Sequence, residues 1–222
     1  PFVDINRIIL LIFGLEMMKY IYICLLLMLG APSAVGAQSF REMYLDTPDS
    51  VMPLLTRLDR SDFIEYLKAG MKARVTNRLD CESVLKELTG NYLFLQTTPS
   101  SSMQMKMLPY GGDSIMCVVN SVRAEVEDSR VAFFDRGWRR LDSEAFFMAP
   151  AIRDFFVASD TVDRYVDKCD IYLVSLRLNA ADNTLVAEYT MPGYMNREDA
   201  AVVAPLLRSL VYRWNGSSFV IE

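Results

Sequence analysis

The sequence predicts an α+β fold of two related units, in each of which helices come before an antiparallel β-sheet. The first observation is a change in apolar spacing, from helix-like spacing before about residue 90 to alternate spacing after it. The second observation is a pair of similar hairpin segments, one in the middle of the chain and one at its C-terminal end. Runs of helices followed by runs of strands are typical of α+β proteins with antiparallel sheets.

The two hairpin segments are the strongest local signals in the chain. They are Ser129–Asp142, SRVAFFDRGWRRLD, and Ser209–Glu222, SLVYRWNGSSFVIE. In each, a run of aromatic and β-branched residues leads into a turn, which is followed by a second short apolar strand. The second turn contains Asn215-Gly216, and Asn-Gly favours a type I′ turn because both of its central residues need a positive φ. Their similarity indicates that each hairpin closes one unit.

The first unit is predicted to cover residues 38–142. After a short lead-in, Thr47-Pro48-Asp49 has the residues of a helix start, and a short helix follows through Leu55. The next helix, Asp62–Met71, has apolar residues on one face. The remaining predicted elements are a helix over Glu82–Leu88, strands over Tyr92–Thr98, Met103–Leu108 and Ile115–Val122, and the hairpin of Arg130–Asp135 with Trp138–Leu141. Met103, Met105 and Met107 alternate as they would on one face of a strand.

The second unit is predicted to cover residues 143–222, and one continuous domain is the alternative. It begins with short helices over Glu144–Met148 and from Pro150 to Phe156, and one more turn is expected within Asp160–Asp167. The later elements are strands over Ile171–Leu178 and Thr184–Met191, a helix from Asn196 to about Leu206, and the final hairpin.

The N-terminal segment has the pattern of an export signal. Residues 18–37 contain Lys19, a short apolar core and a small-residue stretch that ends at Ala37, which predicts cleavage near Ala37 and a periplasmic or secreted protein. Residues 1–17 come before this signal, and we interpret them as an upstream, non-native translation. The alternative joins Ile8–Leu29 into one membrane anchor. We expect no stable membrane span in the mature form, because the apolar core is shorter than the ~20 residues that a spanning helix needs.

Composition excludes several classes of function. The formal net charge is −5 and no basic run is present, which argues against nucleic acid as a partner. The chain has no histidine, which removes Ser-His and Cys-His nucleophilic pairs and imidazole-based metal sites. We therefore predict no cofactor and no metal.

Three cysteines follow the predicted signal, namely Cys81, Cys117 and Cys169. An odd number leaves two possibilities for an exported protein: one disulfide with one free thiol, or three thiols in apolar surroundings. The apolar neighbours of Cys117 favour burial of its side chain. We favour the absence of a disulfide.

Two catalytic patterns are present in weak form. Ser83-Val84-Leu85-Lys86 matches the S-x-x-K motif, which on a helix would place the lysine near the serine hydroxyl. The Lys-Thr-Gly strand that this class also needs is absent from the sequence. Carboxylates are abundant, but no pair is distinguished by its spacing. A Ser-Lys or carboxylate hydrolase acting on glycans or peptides is therefore the alternative function.

Aromatic residues near the two hairpin turns give the candidate binding site. In a hairpin, such aromatic residues usually pack in the core. The functional interpretation is an exposed aromatic patch next to arginines, which could bind a peptide, a sugar or another protein. The candidate binding residues are Trp138, Arg136, Arg139, Arg140, Tyr194 and Trp214.

With its signal, its helix-then-strand order and the SRVAFFDRGW and LVYRWNGSSF hairpins, the chain resembles a family of exported Bacteroidales proteins, domain of unknown function 3256. The resemblance covers about Phe40 to Glu222 and implies no known activity or site residues. The layout is also similar to the β-lactamase inhibitor protein arrangement, in which tandem α+β units form a concave binding face. The preferred function is an exported, non-catalytic binding or interaction module, whose partner is another exported protein, a peptide or a glycan.

Overall fold

A seven-stranded antiparallel sheet is the centre of the fold. The computed structural model describes residues 39–157, 162–167 and 169–222. These belong to one compact unit, Gln38–Glu222. The upstream segment, the signal and the alternative anchor that we predict for residues 1–37 lie outside the described residues, and so does part of the turn expected within Asp160–Asp167.

The strands of this sheet follow one another in chain order, and each pairs antiparallel with the next. They are β1 (Arg74–Thr76), β2 (Glu82–Leu88), β3 (Tyr92–Thr98), β4 (Ser101–Tyr110), β5 (Asp113–Arg123), β6 (Glu127–Phe134) and β7 (Arg140–Leu141). The long central strands β4 and β5 pair along their whole length, from Ser101 opposite Val122 to Tyr110 opposite Asp113.

A second antiparallel sheet of four strands has the order β11-β10-β9-β8. Its strands are β8 (Val174–Leu178), β9 (Thr184–Tyr189), β10 (Leu210–Trp214) and β11 (Phe219–Ile221). The predicted C-terminal hairpin is β10 and β11, and the predicted mid-chain hairpin is β6 and β7, so both hairpins are confirmed.

The helices are short. They are α1 (Phe40–Leu45), α2 (Arg57–Lys68), α3 (Val162–Val166) and α4 (Arg197–Val203), with 3-10 turns at Ser143–Ala145, Ile152–Phe155, Met191–Tyr194 and Ala204–Leu206. Capping boxes start the first two helices, from Ser39 with Glu42 and from Thr56 with Asp59. None of the described helices combines the length and apolar character needed to cross a membrane.

The seven-stranded sheet is covered on both faces, because its side chains alternate between two apolar clusters. On β5, Ile115 and Cys117 pack towards the four-stranded sheet, whereas Met116 and Val118 pack towards α1 and α2. The alternating methionines of β4 lie on the helix side, in agreement with their predicted period of two. The fold is therefore a helix layer, a large central sheet and a smaller second sheet.

Side chains of the large sheet bind the backbone of β8, which is an edge strand of the small sheet. The N–H groups of Val174, Leu176 and Leu178 donate to Asp128 Oδ1 at 3.2 Å, Ser129 Oγ at 3.0 Å and Gln104 Oε1 at 2.9 Å. An edge strand otherwise exposes a row of unpaired backbone groups. These contacts satisfy the outward N–H groups of β8 and join the two sheets.

Several predicted helices are wrong. Glu82–Leu88 is strand β2, because its consecutive buried residues Ser83, Val84 and Leu85 pack beside β3 and a bulge follows at Leu85. The lead-in before Thr47 is helix α1, and the segment after Thr47 consists of turns. The predicted helices over Glu144–Met148 and from Pro150 to Phe156 are reduced to 3-10 turns.

The α+β class with antiparallel sheets is confirmed, but two related tandem units are not. One sheet has seven strands and the other four, and the helices are few.

Cys117 is buried as its neighbours predict, Cys169 is also buried, and Cys81 is half-buried. All three thiols are free.

Candidate functional site

The turn of the mid-chain hairpin is organised by Asp135. Its carboxylate accepts the N–H groups of Gly137 and Arg139, both at 2.9 Å, and its carbonyl accepts the N–H of Trp138 at 3.0 Å. Burial raises the pKa of this carboxyl, but the hydrogen bonds and charge of Arg139 lower it by more, so the net pKa lies below its ordinary value. This network holds Trp138 at φ +60°, a left-handed conformation that bulky residues rarely adopt.

The Trp138 side chain packs against the protein and is only partly exposed to solvent. It is half-buried against the apolar cluster on the helix side, with its ring 5.5 Å from that of Phe134. Its indole N–H is buried and has no hydrogen-bond partner among the described residues.

Trp214 belongs to the core, on the other side of the large sheet. Its side chain is 6% exposed and stacks with Phe133 and Phe146 at centroid distances of 6.4 and 6.2 Å. Its indole N–H donates to the carbonyl of Pro109 at 2.7 Å. Trp214 therefore has the packing role that is usual for hairpin aromatic residues, and its side chain is too buried to contact a ligand.

Tyr194 is exposed but lies at the opposite end of β6 from Trp138. Its neighbour Gly193 lies so close to Val126 that an added Cβ would come within 2.6 Å of that side chain. Nearby, the hydroxyl of Thr190 donates a hydrogen bond to the carbonyl of Glu127. Tyr194, 56% exposed, is thus beside the start of β6, whereas Trp138 follows its end. A strand of eight residues spans about 25 Å at ~3.3 Å per residue.

Two of the three predicted arginines are held by carboxylates of the same region. Arg136 pairs with Asp113 at 2.9 Å, and Arg139 pairs with Asp135 at 2.7 Å. Arg140 has no such ion pair among the described residues. The six predicted residues therefore do not form one surface, and one of them, Arg140, lines a groove.

That groove runs along the outer edge of β6, and we refer to it as the edge groove. Its volume is about 530 Å³, and Met148 at its rim is 80% exposed. It is lined by Ser129, Arg130, Val131, Arg140, Ser143, Glu144, Phe147, Met148, Ala149, Tyr172, Val174 and Leu176. Its volume and largely apolar walls are typical of a ligand site.

Backbone polar groups of β6 point into the edge groove. Strand β7 pairs only with Phe133 and Phe134, although β5 pairs with β6 from Glu127 onward. The N–H of Asp135 donates towards β7, to the carbonyl of Arg139, and the direction alternates along an antiparallel strand. The N–H and C=O groups of Val131 and Ser129 therefore point to the same side, where the described residues supply no neighbouring strand.

Two of the three charged side chains that line the edge groove are cationic. Arg130 and Arg140 lie on the helix-side face of the sheet, because Arg140 is paired opposite Phe134 and Arg130 is an even number of residues from it. Neither forms an ion pair among the described residues, and Glu144 is the single carboxylate in the lining. The buried hydroxyl of Ser143 also lacks a hydrogen-bond partner in the described part of the chain.

A second cavity, of about 610 Å³, opens between the two sheets on the other side of β8, and we refer to it as the inter-sheet cleft. It is lined by Glu87, Tyr92, Phe94, Ser102, Gln104, Arg123, Glu127, Arg177, Leu178, Asn179, Ala180 and Val186. Burial raises the pKa of Tyr92 to about 12, so its phenol is neutral at physiological pH.

Buried Lys106 lies behind the wall of this cleft. Its ammonium donates to the carbonyls of Asn179 at 2.8 Å and Ala180 at 3.1 Å, and it lies 5.8 Å from the centre of the Tyr92 ring. Burial lowers the pKa of Lys106, and the nearby charges of Asp182 and Glu87 act in the opposite direction.

The S-x-x-K segment does not assemble a catalytic pair. Because it lies on a strand and not on a helix, the premise that places Lys86 beside Ser83 is wrong. Ser83 is fully buried and donates to the carbonyl of Thr97 at 2.7 Å, whereas Lys86 is exposed. No group of three or more potential metal-ligating side chains occurs within the described ranges.

The predicted binding residues do not include Arg130 or Val131, which line the edge groove. One signal was available, because the first apolar run of the mid-chain hairpin is longer than the strand predicted to follow its turn. A long strand paired with a short one leaves part of its edge open.

Residues 33–219 match the family described as "Protein of unknown function (DUF3256)". The chain belongs to this family. A solved structure of a domain of an uncharacterized protein from Porphyromonas gingivalis W83 is similar to it, with a TM-score of 0.70 and 26% sequence identity. The match covers 82% of this chain and 96% of that one. No curated protein matches the chain. The family that the sequence resembles is thus confirmed, and its description states no activity.

Proposed function

We propose that the chain is an exported, non-catalytic interaction module that binds an extended peptide segment of another exported protein in the edge groove. The observation that carries the proposal is the open edge of β6, where Ser129 and Val131 direct backbone donors and acceptors into the groove. An extended segment can pair with such an edge and continue the sheet beyond β7. The backbone bonds then supply affinity, and the side-chain environment on each face supplies selectivity.

The groove also indicates which peptide would be preferred. Side chains of an added strand alternate between the two faces of the sheet. On the side of the four-stranded sheet they would meet the apolar walls at Phe147, Val174 and Leu176. On the helix side they would lie near Arg130 and Arg140. The preferred segment therefore alternates apolar and acidic residues over about six positions.

Export is supported by the signal pattern of residues 18–37. N-terminal sequencing of the exported protein tests this part of the proposal separately. A mature start at Gln38 is expected, and material that keeps Ile8–Leu29 would contradict it.

The binding proposal is tested with fluorescein-labelled octapeptides in a fluorescence polarisation titration. A peptide that alternates valine and aspartate is expected to bind more tightly than a block-ordered peptide of the same composition. An alternating valine-lysine peptide is expected to bind more weakly still, because Arg130 and Arg140 would repel it. Equal binding of all three peptides would contradict the proposal.

The matched variants are Val131→Pro and Val131→Ala. Proline removes the outward N–H without removing a bond to β5, and edge positions tolerate it for this reason. We expect Val131→Pro to weaken binding by about tenfold or more, and Val131→Ala, which keeps the N–H, to change it by about twofold or less. Arg130→Gln provides a second test that leaves the backbone untouched.

A further inference from the structure

The inter-sheet cleft continues into a smaller cavity of about 240 Å³. The two cavities share Phe94, Ser102, Arg123 and Glu127, so they form one elongated cleft across the surface of the large sheet. The edge groove shares no lining residue with either of them. A site in the elongated cleft is therefore separate from the proposed peptide site.

Phe94 occupies the middle of this elongated cleft. It is half-buried, packs against the core from below and contributes to the walls of both cavities. An aromatic ring fixed in this way offers a flat apolar surface to a ligand that has one apolar face. Hydroxyl and amide side chains surround the ring, with Ser102 on the shared boundary and Gln96, Ser100 and Ser101 beyond it.

The charges along the cleft favour an anion. Three cationic side chains follow it, with Lys86 in the smaller cavity, Arg123 at the shared boundary and Arg177 in the larger cavity. Buried Lys106 adds a fourth positive charge behind the wall. The carboxylates are Glu87 and Glu127. Among the lining residues, cationic side chains outnumber carboxylates by three to two, within a protein whose formal net charge is −5.

Glu127 is already occupied by protein groups. Its carboxylate accepts the Ser175 hydroxyl at 2.6 Å and the Arg123 guanidinium at 2.9 Å. The guanidinium of Arg177 lies 3.9 Å from Glu188, is 64% exposed and keeps donors free for a ligand. A planar guanidinium binds a carboxylate through two parallel hydrogen bonds.

We propose that the elongated cleft binds an acidic oligosaccharide. The apolar face of a sugar ring would stack on Phe94, its hydroxyl groups would bond to the hydroxyl and amide side chains, and its carboxylate would pair with Arg177. The length of the cleft suits several sugar units, because a single ring fills far less than the combined volume of the two cavities. No bond is made or broken in this role.

The test uses the whole exported protein, a printed array of acidic and neutral oligosaccharides, and calorimetric titration with tetragalacturonate and with neutral maltotetraose. We expect retention on acidic oligosaccharides, and binding of tetragalacturonate about tenfold or more tighter than that of maltotetraose. Equal retention of acidic and neutral sugars, or retention of neither, would overturn the proposal.

Two variants test whether the oligosaccharide binds in the elongated cleft. Phe94→Leu keeps an apolar side chain of similar packing but removes the flat ring, and Arg177→Gln removes the charge at an exposed position. Each is expected to weaken binding by about fivefold or more, while Arg41→Gln, an exposed arginine of α1, leaves it unchanged. Unchanged affinity in both cleft variants, with the unfolding midpoint preserved, would overturn the assignment. Val131→Pro should leave saccharide binding intact, which separates this proposal from the peptide site.

Discussion

The side-chain amide of Gln104 accepts the backbone N–H of Leu178 at 2.9 Å. The other end of the same amide donates to the backbone carbonyl of Leu176 at 3.1 Å. One buried side chain of the large sheet therefore supplies both a donor and an acceptor to edge strand β8. Because β8 contributes Val174 and Leu176 to the edge groove and Arg177 and Leu178 to the inter-sheet cleft, this contact helps to fix both cavities.

Gln104→Met should destabilise the protein, because it keeps the side-chain volume but leaves two buried backbone groups without partners. The expected loss is about 2–6 kcal/mol of unfolding free energy, from about 1–3 kcal/mol for each of the two unsatisfied groups. Urea denaturation provides the measurement. The control is Asn120→Ala on an exposed position of β5, with an expected change of about 0.5 kcal/mol or less. A similar small change for both variants would show that the sheets are held together without this amide.

The two tryptophans should respond differently to the same substitution. Trp214→Phe removes the hydrogen bond to the carbonyl of Pro109 and shrinks a buried ring, at a cost of about 1–3 kcal/mol. Trp138→Phe removes an indole N–H that has no acceptor among the described residues, so its cost should be below about 1 kcal/mol. Unfolding can be followed by the fluorescence of the tryptophan that remains. Equal losses in the two variants would contradict the assigned environments.

Glu127 should make the stability depend on pH. Partial burial raises the pKa of its carboxyl, but hydrogen bonds from Ser175 and Arg123 and the charges of Arg123 and Arg177 lower it by more, so the net pKa is below its ordinary value. Because the pKa of Glu127 is lower in the folded state than in the unfolded state, where it is ~4.3, its ionised carboxylate stabilises the fold at pH values above ~4.3. This contribution is lost as the pH falls through the pKa of the folded state.

We therefore expect Glu127→Gln to be less stable than the wild type at neutral pH and the difference to shrink from about pH 5 downward. Denaturant unfolding between pH 7 and pH 2.5 measures this difference. Exposed Glu125→Gln is the control for the substitution itself and should change the stability at neutral pH by about 0.5 kcal/mol or less. A Glu127→Gln difference that stays constant with pH would contradict the network.

The cysteines should differ in reactivity in the native protein. Cys117 and Cys169 are buried, and burial raises the pKa of both thiols. Cys81, in contrast, is half-buried. Iodoacetamide labelling, followed by peptide mass spectrometry, should modify Cys81 first and Cys117 only after denaturation. Early modification of Cys117 would show that the centre of β5 is accessible.

The sequence predicted the strands better than the helices, for a local reason. Alternation of apolar residues is a local signal, and for Met103, Met105 and Met107 it correctly predicted that the three side chains share one face of the strand. The helix prediction for Glu82–Leu88 was wrong because the residues of this segment also allow a helix. Only its pairing with β3 and the burial of Ser83 decide that it is a strand.

The predicted binding residues lie in different parts of the fold. Arg140 lines the edge groove, but Trp214 lies in the core and Tyr194 lies at the other end of β6. Residue type and proximity to a turn cannot show which face a side chain occupies or which edge of a strand remains open. Those properties depend on how far β7 extends along β6 and on where β8 crosses the large sheet.

The most direct test of the peptide-binding account is the hydrogen exchange of individual amides of β6, measured by NMR. In the free protein, Ser129 and Val131 should exchange fast, while Arg130 and Ala132, which are directed towards β5, should exchange slowly. Addition of the alternating valine-aspartate peptide should slow Ser129 and Val131 and leave Arg130 and Ala132 unchanged. Slow exchange of Ser129 and Val131 in the free protein, or unchanged exchange with saturating peptide, would contradict strand addition at this edge.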